Sequence, residues 1–489
     1  MLKKTVSLIL VLCLALSLAA CSKSTAGSAN NTDANVSDST TSALPAGGFR
    51  VGFGRANITP KSGVPMASYG NAKDRISEGI FSYLLINVLA VDDGENTLLL
   101  LTIDHSWFSD ILANPIKQKI TGEYGIPADH ILLQGTHTHA GPEVGETSVP
   151  SMGKENDRTV KLAMEAVDDA MADLKPAEIY VGSVMTEGMN FVRRYFMDDG
   201  SLIGDNYDGT GTTIERHETE ADGEVQLMKF VRQGGEDILI VNFQAHPHLE
   251  GKSLNLSAQT PGAIRDAVEK RFDNKCIYWQ GPAGNINTHS RIESENEFDR
   301  SSTGVVAYGT AMADYISTVY DSMTPVASGP IQVIHKDAVC QVNHTEDHLI
   351  NIATQVDDIW TSTGNAKKAM EIGTPYGIRS VYHAGAILKK ARLGTTSEIP
   401  IAAFSFGDVS AVVVPYEMFD TSGKQIKDGT PFEKTFIFGY ANPGSYSYMP
   451  DEKAYGNIGY EGTMCRFARG TAEQLVGEYL GILKEMKGE

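Results

Sequence analysis

Short apolar runs, each the length of one buried strand, alternate with amphipathic helical stretches along most of this 489-residue chain. Residues 83–91 and 97–104 read as strands joined by the turn Asp92-Asp93-Gly94-Glu95-Asn96. Residues 157–174 carry apolar side chains at helical spacing, and residues 179–184 return as a strand. Residues 224–231 and 238–243 form a hairpin-like pair around Gln233-Gly234-Gly235. Further on, residues 258–272, 303–320, 356–372 and 466–487 read as helices. Residues 277–279, 331–342, 399–406 and 411–414 read as strands. This is neither strict βαβ alternation nor a helical bundle. It predicts an α/β fold with mixed β-sheets flanked by helices in a single large domain, residues 48–489. There is no internal repeat, and no Gly-x-Gly-x-x-Gly opens a helix.

The N-terminus stands apart from that pattern. Lys3 and Lys4 precede an apolar stretch, Val6 to Leu16, and then Leu18-Ala19-Ala20-Cys21, which looks like a bacterial lipoprotein cleavage box. Residues 1–20 are therefore expected to be a signal peptide, too short to span a membrane. Cys21 is expected to become the lipidated first residue, placing the protein outside the cytoplasm as a lipoprotein on the bacterial membrane. Residues 21–47 are rich in Ser, Thr, Asn, Ala and Asp, and read as a flexible tether.

The chain carries 61 acidic against 41 basic residues, a net charge of −20. That argues against nucleic acid and against broad adsorption on anionic lipid. Beyond Cys21, only Cys276, Cys340 and Cys465 remain after processing, so the fold does not depend on a disulfide framework.

Gly135-Thr136-His137-Thr138-His139-Ala140-Gly141-Pro142 follows the apolar segment Ile131-Leu132-Leu133. Two histidines at i and i+2 sit where a buried strand gives way to a loop, and in extended backbone both leave the same face. Neutral imidazole is a common metal ligand and a general base near pH 7. Strand-end loops are where α/β proteins place their chemistry.

The same segment resembles the Thr-His-Thr-His-Ser-Gly-Pro signature of the neutral/alkaline, non-lysosomal ceramidases, a family of zinc amidohydrolases. Four more segments are similar to that family in the same order. They are Asn242-Phe243-Gln244-Ala245-His246, Gln280-Gly281-Pro282-Ala283-Gly284-Asn285-Ile286-Asn287, Val413-Val414-Pro415-Tyr416-Glu417, and the tyrosine-rich run from Ala441 through Tyr448 to Tyr460-Glu461-Gly462. The resemblance runs from about Gly48 to the C-terminus and implies the catalytic region alone. The chain ends just past its last expected helix, where long members carry a further β-sandwich.

The resemblance implies one Zn²⁺ held by His137, His246, Glu417 and Tyr448, with His248 a rival in the His246 loop. It implies His139 as general base or proton shuttle and Tyr460 as a donor to the oxyanion. Arg193 is implied as the active-site arginine, with Arg194 its alternative. Asp104 is a candidate either for orienting an imidazole or for capping a helix near Ser106. The family's Gly-Asp-Val-Ser is replaced by Gly284-Asn285-Ile286-Asn287, so an amide stands where the family has its serine. An amide is no nucleophile but can hydrogen-bond to substrate or oxyanion. The expected activity is zinc-dependent hydrolysis of an N-acyl bond by metal-activated water, on a small-molecule or ceramide-like lipid substrate. The alternatives are a metal-dependent esterase acting on a non-lipid substrate, and an inactive metal-binding surface lipoprotein.

Overall fold

Strands whose residues are buried throughout, such as Ile131–Gly135 and Ile238–Phe243, need cover on both faces. The computed structural model describes residues 49–69, 75–144, 150–205, 212–441, 447–455 and 459–489. The expected leader, Cys21 and the tether lie outside the described residues, as do residues 442–446 of the tyrosine-rich run.

The larger of two main sheets has nine strands. Its path is Lys275–Gln280, Ile238–Phe243, Glu224–Arg232, Lys175–Met185, Phe49–Asn57, Leu85–Asp92, Thr97–Ile103 and Ile131–Gly135, with Thr324–Val326 added to Lys175–Met185. Most pairs are antiparallel; Ile238–Phe243 with Lys275–Gln280 and Thr97–Ile103 with Ile131–Gly135 are parallel. The second sheet has four strands, Ile331–Gln341, Thr396–Phe406, Val409–Val413 and Lys434–Phe438, the last two parallel.

The sheets meet face to face. Leu89, Leu100, Ile240 and Trp279 share a core with Phe404, Phe406, Val413 and Phe438. Helices cover the outer faces. Asp110–Tyr124 and Pro150–Ala172 pack on one part of the large sheet, Gln259–Phe272 and Ser302–Ser317 on another, and Thr471–Lys487 on the small sheet. The mixed α/β architecture is the one the alternation predicts.

Two expectations need correction. Residues 356–372 are not one helix. Gly364 adopts φ 65° and ends Ile350–Thr363, and the Asn365 side chain then caps Ala366–Gly373 by accepting from the Lys368 N–H. With Val381–Lys390, these helices form a lobe inserted between two strands of the small sheet. The C-terminal helix starts at Thr471 rather than 466.

The sheets are also tied by charge. Glu224, on the large sheet, pairs with Lys427 at 3.0 Å and with Lys434 of the small sheet at 3.1 Å. Burial alone would raise its pKa, but the two ammonium groups outweigh burial and hold it at about 2. A depressed carboxylate pKa stabilises the fold above the unfolded value, and that contribution disappears as pH falls toward the folded value. Glu224→Gln is expected to lower unfolding free energy by on the order of 2 kcal/mol at pH 7. The deficit relative to wild type should shrink steadily between about pH 4.5 and pH 2. Urea titrations across that range check it, and a pH-independent difference would contradict it.

Candidate active site and metal centre

Several strand ends converge on one place. His137 follows Ile131–Gly135, His246 follows Ile238–Phe243, Glu417 follows Val409–Val413, and Tyr440 follows Lys434–Phe438. The side chain of Gln134 marks the junction. Its Nε2 donates to the carbonyls of Gln280 at 3.1 Å and Gly439 at 2.7 Å.

His137 is not in extended backbone. Its φ is 65°, a left-handed conformation uncommon for a non-glycine residue. The chain therefore turns at His137, and this turn, rather than an extended i, i+2 register, brings the two imidazoles together. His137 Nε2 and His139 Nε2 lie 3.2 Å apart. Tyr440 lies over the His137 ring at 4.2 Å between centroids, and Trp107 meets it edge-on at 5.1 Å.

Hydrogen bonds set the tautomers of two histidines. His137 Nδ1 donates to the Ser106 carbonyl at 3.0 Å, and His246 Nδ1 to the Ala283 carbonyl at 2.7 Å. Each Nε2 is then a lone pair, and both face Glu417 Oε2, at 3.8 and 3.3 Å. Burial pushes His137 down to about 3 and holds His139 and His246 well below the usual imidazole range, so all three are neutral at pH 7. Burial likewise raises Glu417 to about 8, against the opposing influence of Arg193 and Tyr448. His246 Nε2 and Glu417 Oε2 are buried without a hydrogen-bond partner. Convergent lone pairs and a carboxylate, with the far imidazole nitrogens fixed by carbonyls, are a donor set that fits a divalent cation. Nitrogen donors of His137, His139 and His246 all lie within 4.8 Å of one another.

Tyr448 sits beside Glu417 because the two are register partners in a short parallel bridge. Tyr460 stands 5.4 Å from the Tyr448 ring, centroid to centroid. Arg193 and Arg194 separate cleanly. Arg193 lines the cleft, 5.5 Å from the centre of the Tyr448 ring, with its Nε on Glu461 at 2.8 Å. Arg194 is fully buried and pairs with Glu218 and Glu461. His248 packs against His139 at 5.0 Å and lines the adjoining cavity. Asp104 neither orients an imidazole nor caps a helix. It pairs with Arg265 at 2.9 Å and accepts from the Thr136 hydroxyl, so it braces the histidine turn from behind. The nearest helix starts later, after Ser109.

Asn287 is placed one step aside. Its Nδ2 donates to Asp205 at 2.5 Å, it lines a neighbouring cavity with His248 and Arg300, and its buried Oδ1 has no partner. The adjacent hydroxyls are committed. Thr288 donates to the His246 carbonyl and Ser290 to Glu295. Asn285 makes a reciprocal pair with Asp420, donating at 2.7 Å and accepting the Asp420 N–H at 3.0 Å. Gly284 allows this loop to pack against the Glu417 backbone, since a Cβ there would lie 2.5 Å from the Glu417 carbonyl.

Sequence reading missed Trp107, Tyr440, Glu461 and Asp205. Only Glu461 lay within a recognised motif; the others reach the site through long-range folding.

A mixed α/β scaffold carrying this donor set at its strand ends is compatible with a metal-assisted hydrolase. Residues 49–276 match the family described as "Neutral/alkaline non-lysosomal ceramidase, N-terminal". Two solved structures share its fold. One is described as "Ceramidase complexed with C2", at 15% identity and TM-score 0.67; the match covers 90% of this chain and 75% of that one. The other is a neutral ceramidase from Pseudomonas aeruginosa, at 15% identity and TM-score 0.68 with the same coverage.

Asn285→Asp, which installs the residue of the family pattern, would face a second carboxylate against Asp420, itself raised to about 6 by burial. Two such groups cannot both ionise cheaply. The variant is expected to lose about 1–3 kcal/mol, with the loss growing as pH rises from 5 to 8. Denaturation midpoints at both pH values check this, and equal losses would contradict the pairing.

Proposed function

We propose that this amide-bond hydrolase cleaves an N-acyl substrate, a ceramide-like lipid amide among the candidates, with one Zn²⁺ held by His137, His246, Glu417 and Tyr448. The observation that carries the reading is the convergence of two carbonyl-fixed imidazoles on the buried carboxyl group of Glu417, at 3.8 and 3.3 Å. Bound there, a metal would supply Lewis acidity for the amide carbonyl and acidify a water.

The chain's own residues do the rest. His139 differs from its two neighbours because its Nε2 donates to the His137 Nε2 lone pair at 3.2 Å, which leaves its buried Nδ1 as a lone pair with no partner. It is therefore suited to take a proton from the attacking water and return it to the leaving nitrogen. Tyr460, at the cleft wall, donates toward the developing oxyanion. Arg193, held by Glu461 and the Gly284 carbonyl, keeps positive charge beside that position. Asn287 positions substrate through its open Oδ1, because its amide nitrogen is engaged with Asp205.

Direct attack by water fits the hydroxyl groups better than an acyl-enzyme. Thr288 and Ser290 donate elsewhere. Ser68, which lines the cleft, donates to Ser106, whose own proton goes to the Thr138 carbonyl.

The purified protein is expected to carry about one zinc and to hydrolyse fluorogenic N-acyl substrates faster than matched O-acyl esters, with activity lost to chelator. His137→Ala and His246→Ala should each lose metal and activity while staying folded. Pre-steady-state traces with substrate in excess should show no burst. A fully active metal-free enzyme, or an acyl adduct on Ser68, Thr288 or Ser290 seen by mass spectrometry, would overturn this route.

We further propose that the protein is a membrane-anchored lipoprotein, on the strength of Leu18-Ala19-Ala20-Cys21. Wild type should partition with membranes and Cys21→Ser should not, with more than one acyl chain on Cys21 because a single chain anchors only marginally. An unmodified N-terminus downstream of Cys21 would refute it.

A further inference from the structure

The cleft in front of the histidines is small and its lining includes basic side chains. A cavity of about 210 Å³ is lined by His137, His139, Glu417, Tyr448 and Tyr460 together with Lys389 and Arg466. It adjoins a second cavity of about 300 Å³ that adds Arg193 and Lys252, with Asp205 as its one carboxylate. Of these cations Arg193 is already paired with Glu461, which leaves Lys389 and Arg466 as the basic side chains of the cavity that holds the histidines. A cleft built for the two hydrocarbon tails of a neutral lipid would be apolar where this one is charged.

Both cations are delivered by fixed backbone. Lys389 lies on Val381–Lys390, which is pinned from beneath by Glu346, bonded to His383 at 2.7 Å and to Lys390. That leaves Lys389 toward the cleft, with no ion pair among the described residues. The Arg466 N–H donates to Ser447 at 3.0 Å, next to Tyr448. Burial, then the Arg466 charge, lowers the pKa of Lys389, while Asp357 raises it; burial also lowers that of Arg466. Two neighbouring cations that are both partly desolvated are stabilised by an anion placed beside them.

We propose that the natural substrate is an N-acyl compound carrying an anionic group close to its scissile amide, such as the carboxylate of an N-acyl amino acid, and that Lys389 and Arg466 hold that group. The inference rests on the amide-hydrolase reading of the same site and narrows it from lipid amides in general to anionic ones. Arg466 supplies a planar fork suited to a carboxylate, and Lys389 a mobile point charge at the rim.

The test compares three amides with the same acyl chain: N-decanoylglycine, N-decanoyl-O-phosphoethanolamine and neutral N-decanoylethanolamine. The zinc-loaded protein is expected to show a kcat/KM at least about tenfold higher for an anionic substrate than for the neutral one, mainly through KM. That ratio should fall as ionic strength rises. In Lys389→Gln and Arg466→Gln the ratio should drop about tenfold or more, and Arg466→Lys should recover part of it. Binding read from Trp107 fluorescence, in the cleft beside His137, provides a readout independent of turnover. A higher value for the glycine conjugate assigns the anion as carboxylate, and a higher value for the phosphoethanolamine assigns it as phosphate. Neutral turnover equal to or above anionic turnover, or a ratio unmoved in both Gln variants, would overturn the inference and leave amide hydrolysis standing. If none of the three is bound or cleaved, both readings fall.

Discussion

Two buried carboxamides hold the sheets in register, and the site depends on that register. Gln134 bonds the carbonyls of Gln280 and Gly439, and Asn242 bonds those of Trp279 and Ile437 while accepting from the Ile437 N–H. Each joins the two edges of the large sheet, or the large sheet to the small one, through fully buried polar groups. Buried polar groups that are fully paired fix one arrangement of a core, because any slip would leave donors and acceptors stranded. Hydrophobic contact between the two sheets supplies most of the area buried, but it is non-directional and tolerates sliding. The carboxamides are what set His137, His246 and Glu417 at their separations.

Much of the scaffold was legible in the sequence for a simple reason. Strands such as 97–103 and 238–243 are continuous apolar runs, and the helix over 150–172 has a clear amphipathic face. Helices of weaker signal were missed. Asp110–Tyr124 carries an internal Pro115, and Val381–Lys390 spans only 10 residues. The break at Gly364 was visible as a glycine but not as a left-handed terminator, because its effect depends on Asn365 capping the next helix.

The site was legible in a different way. The histidine pair could be read from spacing, yet its geometry could not. A left-handed His137 is held by its N–H on the His105 carbonyl, its ring on the Ser106 carbonyl and the cover of Tyr440, all of them tertiary contacts. Glu417 and Tyr448 carry no local mark of their neighbourhood; only their order in the chain suggested them. Asn285 shows why one replacement in a motif says little alone. Its meaning lies in Asp420, a residue with which no spacing rule connects it.

The donors His137, His246 and Glu417 stand far apart in the chain and on both sheets. No single stretch of chain brings two of them together; each is positioned by a different strand end. A metal held there would therefore bridge the two sheets, since His137 and His246 follow strands of the large sheet and Glu417 a strand of the small one. Bound there, it would act as a cross-link between sheets, so removing it should loosen their docking as well as empty the site.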